Sequence, residues 1–184
     1  MTNLSRFCFT LLPIFLMKQD YCCGLIPVWQ PVGNASDSST GNAVGDTSTI
    51  ALGNRSDRLY LLILHQKGHW AFPKGHPEPG ETDLETACRE VTEETGLTQF
   101  KVIPDRSFQE VYQFNTKGKT IVKTVTYFIA LIDPTPDDRP PQVRVQQSEV
   151  SDFQWCTYGE ALTRITFPAN RQVLEDCEAF LVGR

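Results

Sequence analysis

The chain has 184 residues, 40% of them hydrophobic and 21% charged, and a formal net charge of −5. That length supports one domain with a sizeable core, and the composition is that of an ordinary globular protein. The acidic balance and the lack of a Lys/Arg run argue against a duplex nucleic-acid footprint; an anionic ligand would need a bound cation or a few placed lysines.

In chain order, Arg6 followed by the largely apolar run 7–16 loosely resembles the core of a secretion signal. The run is too short to span a bilayer as a helix, and Pro13 interrupts it. Lys18-Gln19-Asp20 follows where a small-x-small cleavage site would stand. The preferred reading takes Met17 as the working start, residues 1–16 as a gene-model extension or disordered leader, and residues 17–184 as a single domain. A secretion signal is the alternative.

Residues 21–32 read as a first strand, which Pro27 should confine to an edge or a bulge. Residues 33–54 are rich in Gly, Ser, Thr, Asn and Asp, the composition of a flexible insertion. Residues 59–65 form a buried strand, and Gln66-Lys67-Gly68 turns the chain. Short strands are expected at 100–103 and 107–114, a hairpin turn at Asn115-Thr116-Lys117-Gly118, and a long β-branched and aromatic strand at 120–132. Residues 133–141 carry prolines and charges and should be an exposed loop. A strand at 150–156, with Trp155 in the core, precedes helices at 158–165 and 170–182. Pro168 opens the second helix, and Val173, Leu174, Cys177, Phe180 and Leu181 supply its buried face. Strands mixed with three helices imply a layered α/β domain.

Of the six cysteines, Cys8, Cys22, Cys23, Cys88, Cys156 and Cys177, no pair has metal-ligand spacing, and adjacent Cys22 and Cys23 should point to opposite faces of a strand. They read as free thiols in a reducing cytoplasm.

The third helix lies within residues 75–97, a tight loop followed by a helical stretch. Thr82 is a good N-cap, Glu85 completes a capping box, and Gly96 is a helix stop. Leu84, Ala87, Cys88, Val91 and Thr95 form an apolar stripe. At about 100° per residue, Glu90 and Glu94 fall one turn apart beside that stripe, while Glu93 projects further round. Like charges at this spacing repel. A hard divalent cation relieves the repulsion; a solvated acidic face is the other reading.

Gly75, five residues, Glu81, seven residues, then Arg89-Glu90-Val91-x-Glu93-Glu94-x-Gly96-Leu97 resembles the signature of the Nudix hydrolases at every defined position. Trp70-Ala71-Phe72-Pro73-Lys74-Gly75-His76 with Glu78-Pro79-Gly80-Glu81 is similar to the entry to that signature in the asymmetrical diadenosine tetraphosphate hydrolases. The resemblance spans residues 21–181, with the insertion at 33–54 as a departure. It implies the Nudix fold, a mixed β-sheet sandwiched between α-helices. It also implies hydrolysis of nucleotide phosphoanhydrides, most closely the asymmetric cleavage of diadenosine tetraphosphate to ATP and AMP by water attack at phosphorus.

The resemblance carries over residue by residue. Gly75 (through its carbonyl), Glu90, Glu93 and Glu94 match the metal ligands, and Glu149 resembles a distal glutamate that binds metal or acts as general base. Magnesium is the implied cofactor, with manganese as the alternative. Arg89 stands in the catalytic set with Glu93, Glu94 and Glu149, although an orienting role for Arg89 and Glu81 is favoured over direct chemistry. His69, Lys74, Lys119 and Lys123 resemble phosphate-contact residues. Tyr112 and Tyr127 are candidates for stacking on adenine, and each reads equally well as a half-buried strand residue. The expected partner is a small nucleotide, with no duplex nucleic acid and no membrane, in a cytoplasmic monomer. Other Nudix chemistries remain open: removal of RNA 5′-end pyrophosphate, or cleavage of diphosphoinositol phosphates or nucleoside triphosphates. A catalytically inactive nucleotide sensor is a further alternative, against which the intact acid set argues.

Overall fold

A computed structural model describes residues 17–31 and 57–183. The readings of residues 1–16, with Cys8, and of the insertion at 33–54 lie outside the described residues.

The elements run β1 (Lys18–Trp29), β2 (Leu59–His65), β3 (Trp70–Ala71), β4 (Lys74–Gly75), α1 (Asp83–Thr95), β5 (Phe100–Thr116), β6 (Lys119–Ile132), β7 (Val150–Thr157), α2 (Tyr158–Arg164) and α3 (Pro168–Val182). They build a mixed sheet with helices on both faces. β1 runs parallel to β6, from Lys18↔Ile121 to Val28↔Leu131, and β6 pairs antiparallel with β5. β2 pairs antiparallel with β7 along its length. Alternation along β1 sends Cys22, Ile26 and Val28 into the core beneath α2 and α3, and Cys23 and Leu25 into the core beneath α1. The two adjacent cysteines thus part to opposite faces as expected. Cys22, Cys23, Cys88, Cys156 and Cys177 are all free thiols. Tyr60 and Glu178 are hydrogen-bonded inside the core, and Arg58 Nη1 lies 3.4 Å from the same carboxylate, which ties the start of β2 to α3.

Three expectations change. Pro27 sits in a central strand, not at an edge or a bulge. The amide of Leu25 donates to Pro73 O at 3.3 Å, so alternation turns the Pro27 nitrogen to the same side. There β1 pairs with β4 only at Cys23 and Gly24, and with β2 only at Val28 and Trp29. The missing N–H falls between the two pairings. The strands expected at 100–103 and 107–114 are one bent strand, β5. Its register jumps from Ile103↔Ile129 to Ser107↔Phe128, leaving the segment around Pro104 outside the ladder. Trp155 is only half-buried; its indole N–H donates to Pro141 O at 3.2 Å. The turn at Lys117-Gly118 has both residues at positive φ, 47° and 73°, as a two-residue hairpin requires.

Candidate active site

β1 and β2 touch only at their Val28–Trp29 and Leu59–Tyr60 ends, and then splay. β3 takes the free edge of β2 and β4 takes that of β1. The short crossing between β3 and β4 therefore sits in the mouth of the splay, where Lys74 and Gly75 meet α1. A cavity of about 330 Å³ opens there, lined among others by His65, His69, Lys74, Gly75, Glu94 and Glu149.

One wall comes from α1. Thr82 caps the helix in a reciprocal box with Glu85, and Gly96 ends it in the left-handed conformation at φ 72°. Arg89 fixes the loop to the helix. Its Nε and Nη2 donate to Glu81 at 2.7 and 3.0 Å, and Nη2 also donates to His76 O at 2.9 Å. Its Nη1 donates to Glu90 Oε1 at 2.9 Å and Glu93 Oε2 at 3.1 Å. Glu81 also accepts from Glu78 N and Thr86 Oγ1, and these bonds hold its carboxyl down at about 2, with Arg89 the leading cause. One guanidinium thus ties Glu81, Glu90 and Glu93 together.

Glu90 is buried and its carboxylate lies over Gly75: a Cβ at that glycine would meet the carboxyl carbon at 2.0 Å. Only glycine admits so close an approach. Glu94 is 1% exposed and accepts the Lys74 amide at 2.8 Å. Burial pushes its carboxyl up to about 8, against the pull of Lys74, and the charges of Glu90 and Glu149 push the same way. Burial also raises Glu90, against Arg89. Glu93 remains exposed on the outer side, as its helical position predicts.

Glu149 reaches this wall by way of the loop before β7. Arg144 N donates to Thr95 O at 2.8 Å and Gln146 N to Glu94 O at 3.2 Å, so the loop hangs on the free carbonyls at the end of α1. Gln66 N then donates to Glu149 O at 2.8 Å. The donor set of two buried carboxylates, two exposed ones and a glycine backbone consists of hard oxygens. It fits magnesium or manganese better than a thiophilic ion. The Glu94 carboxyl raised to about 8 reflects its burial first and the neighbouring carboxylates after it, and a cation there would relieve both.

The opposite wall is basic and aromatic. Lys74 and Lys123 line the cavity with His69. The His69 ring stacks on His65 at 4.5 Å and 19°; burial, with Lys74 and Lys67, lowers His69 to about 4 and His65 to about 3. Both rings are therefore neutral near pH 7. Tyr112 is the register partner of Lys123 and is 37% exposed, beside the exposed Phe114 at 6.1 Å. Lys119 is exposed at the hairpin end, paired with Thr116. It stands four residues, roughly 13 Å along the strand, from Lys123. Tyr127 cannot stack on a base: it is 0% exposed, edge-on to Phe72 at 5.8 Å, and hydrogen-bonded to Glu110 and Asn170. The start of α3 covers its face of the sheet.

Sequence reasoning missed His65, Asp20, Cys22 and Phe114. His65 ends β2 with Nδ1 4.0 Å from Glu94 Oε1. Asp20 takes Lys123 Nζ at 3.0 Å and His76 Nε2 at 2.7 Å. Only the strand register brings these together; Phe114, two residues after Tyr112 on an exposed strand face, carried the one signal in reach.

A sheet splayed around a glycine loop, with a carboxylate helix at its mouth, defines a Nudix fold, and the chain belongs to that family: the NUDIX domain description matches residues 46–177, more than half of the chain. It is a Nudix hydrolase. The chain is similar to the asymmetrical bis(5′-nucleosyl)-tetraphosphatase of Rattus norvegicus, at 34% identity over 124 residues, 66% of this chain and 80% of the relative. It is also similar to the enzyme of the same name from Caenorhabditis elegans, at 31% over 133 residues, 72% of this chain and 90% of the relative. Among solved structures, an Ap4A hydrolase of C. elegans in a binary complex superposes with TM-score 0.65 at 24% identity, covering 90% of this chain and 99% of that one. That last likeness bears on the fold alone. Among the described residues, no helix is long and apolar enough to cross a membrane.

Proposed function

We propose that this chain is a divalent-metal-dependent hydrolase that splits diadenosine tetraphosphate asymmetrically into ATP and AMP. The observation that carries the reading is the acid wall at Gly75: Glu90 over the glycine, Glu94 buried beside it, Glu93 outside and Glu149 brought across by its loop. The curated relatives of that activity, at 31–34% identity over most of their length, supply the substrate.

In this reading Gly75 O, Glu90, Glu93, Glu94 and Glu149 hold magnesium, or manganese in its place. When bound, the ion lowers the pKa of water and offsets charge that gathers on the phosphate oxygens. Arg89 keeps Glu90 and Glu93 oriented and touches no substrate. Glu149, exposed and lining the cavity, is the candidate for taking the proton of the attacking water. Lys74, Lys123 and the neutral His69 receive the phosphate chain, with Lys119 further out along β6. Tyr112, with Phe114 beside it, offers the exposed aromatic surface for adenine. The enzyme works as a monomer in the cytoplasm.

Incubation with magnesium and a panel of dinucleoside polyphosphates, triphosphate-ended RNA, inositol pyrophosphates and nucleoside triphosphates, followed by product identification, tests the reading. Diadenosine tetraphosphate should give the highest kcat/KM, with ATP and AMP as products. Faster turnover of RNA ends or inositol pyrophosphates would overturn the substrate assignment and keep the family.

A further inference from the structure

Beyond the carboxylate wall, we propose a second metal site, of the zinc class, formed by Asp20, Cys22 and His76 at the rim of the same cavity. One ligand atom from each of these residues lies within 4.8 Å of the other two.

The backbone builds this cluster. Asp20 and Cys22 are two apart on β1 and so share a face. His76 follows Gly75, which pairs with Cys23 across β1 and β4. Lys123 is the parallel register partner of Asp20 on β6. β1 and the end of β4 thus converge an oxygen, a sulfur and an imidazole nitrogen, with the Lys123 ammonium of β6 beside them. This mixed set differs in kind from the all-oxygen wall around Gly75. Sulfur with nitrogen selects zinc-class ions over magnesium, and three protein ligands leave a fourth position open, here toward the cavity that Cys22 and His76 line. Tetrahedral coordination places donors roughly 3.3–3.8 Å apart, so the three atoms, all within 4.8 Å of one another, need to draw in by about 1 Å.

The spot already favours a cation. The Lys123 ammonium lies 3.0 Å from Asp20 Oδ2 and reaches the Cys22 thiol as well. Asp20 turns its other oxygen to His76 Nε2 at 2.7 Å. An incoming ion takes the place of the ammonium between Asp20 and Cys22, with His76 Nε2 as the third ligand. The thiol loses its proton to solvent as the sulfur–metal bond forms, and no electron changes hands. The ion and the Lys123 ammonium are alternative occupants of one position, so occupancy decides whether Lys123 stays on Asp20 or turns into the cavity. The site does not depend on the identity of the substrate.

The test uses the full chain, stripped by chelation and kept in excess magnesium so that the carboxylate wall is served, then titrated with Co2+ as a spectroscopic probe. The wild type should develop a sulfur-to-cobalt charge-transfer band, saturating at one ion and reversed by Zn2+. Cys22→Ser should lose the band and Cys88→Ser should keep it. Asp20→Asn, a change at a partly exposed side chain that spares the core, should weaken Zn2+ binding at least about 10-fold, the least expected for losing a partner at a metal site. Lys123→Met, which removes the competing ammonium, should tighten it. No band in the wild type, a band that survives Cys22→Ser, or a Lys123→Met variant that binds Zn2+ more weakly would overturn the proposal. All of these readouts are independent of activity on any nucleotide.

Discussion

The two walls of the cavity are built in different ways. The acid wall comes largely from one continuous segment: Glu81, Arg89, Glu90, Glu93 and Glu94 lie on the loop and the single helix α1, cross-linked by the Arg89 guanidinium. The basic wall is gathered from far apart: His69 and Lys74 around β3 and β4, Lys123 on β6 and Tyr112 on β5. Helical periodicity arranges the first, and strand register arranges the second. The acid wall should therefore govern the chemical step and the basic wall the grip and length of the substrate.

Six substitutions, in four tests, would break or sharpen that division. The largest effect is expected at Glu94→Gln, which keeps the shape of a buried side chain and removes its charge. Turnover should fall at least about 100-fold while the thermal midpoint is held or raised, since a neutral group is buried more cheaply than a charge. Near wild-type kcat at saturating magnesium would contradict the assignment.

Next comes Gly75→Ala. Its Cβ would stand 2.0 Å from the Glu90 carboxyl carbon, so Glu90 must move. A drop of about 10–100-fold in apparent magnesium affinity is expected, measured from the magnesium dependence of the rate. An unchanged dependence would remove Gly75 and Glu90 from the ion.

Lys74→Ala and Lys123→Ala test the other wall. Losing a charged hydrogen bond to phosphate is worth about 1.5–3 kcal/mol. KM should rise roughly tenfold or more, with weaker discrimination among tri-, tetra- and pentaphosphate bridges. Unchanged kinetics in both variants would take the lysines out of the phosphate path.

The smallest pair is Tyr112→Ala against Tyr127→Phe. Removing the exposed ring should raise KM by about fivefold, near the low end of base stacking. The enclosed Tyr127 should lose about 1 kcal/mol of stability with its hydrogen bonds and leave KM alone. A KM change confined to Tyr127→Phe would reverse the burial argument.

The same contrast explains what was legible in the sequence. The cap at Thr82, the stop at Gly96, the inward Glu90 and Glu94 and the outward Glu93 are short-range consequences of a 3.6-residue period, and they stand as read. Tyr127 was misread because alternation gives the face of a strand but not what covers it, and α3 arrives from 43 residues away with Asn170 against the hydroxyl. Pro27 was misplaced because the gap between two partial pairings is a property of the splayed sheet. Asp20 and His65 looked like ordinary strand residues until parallel and antiparallel registers set them beside Lys123 and Glu94. Glu149 was named by resemblance; what brings it to the cavity, a loop hung on the last carbonyls of α1, has no local sequence code.

Hydrolysis of diadenosine tetraphosphate in oxygen-18 water tests the central claim most directly, because it reads which end of the phosphate chain lies against the acid wall. With one adenosine held at Tyr112 and the bridge measured off by Lys123 and Lys74, water enters at the far phosphate. The label should appear in AMP and be absent from ATP. Label in ATP, or two molecules of ADP as product, would contradict the division of labour between the two walls.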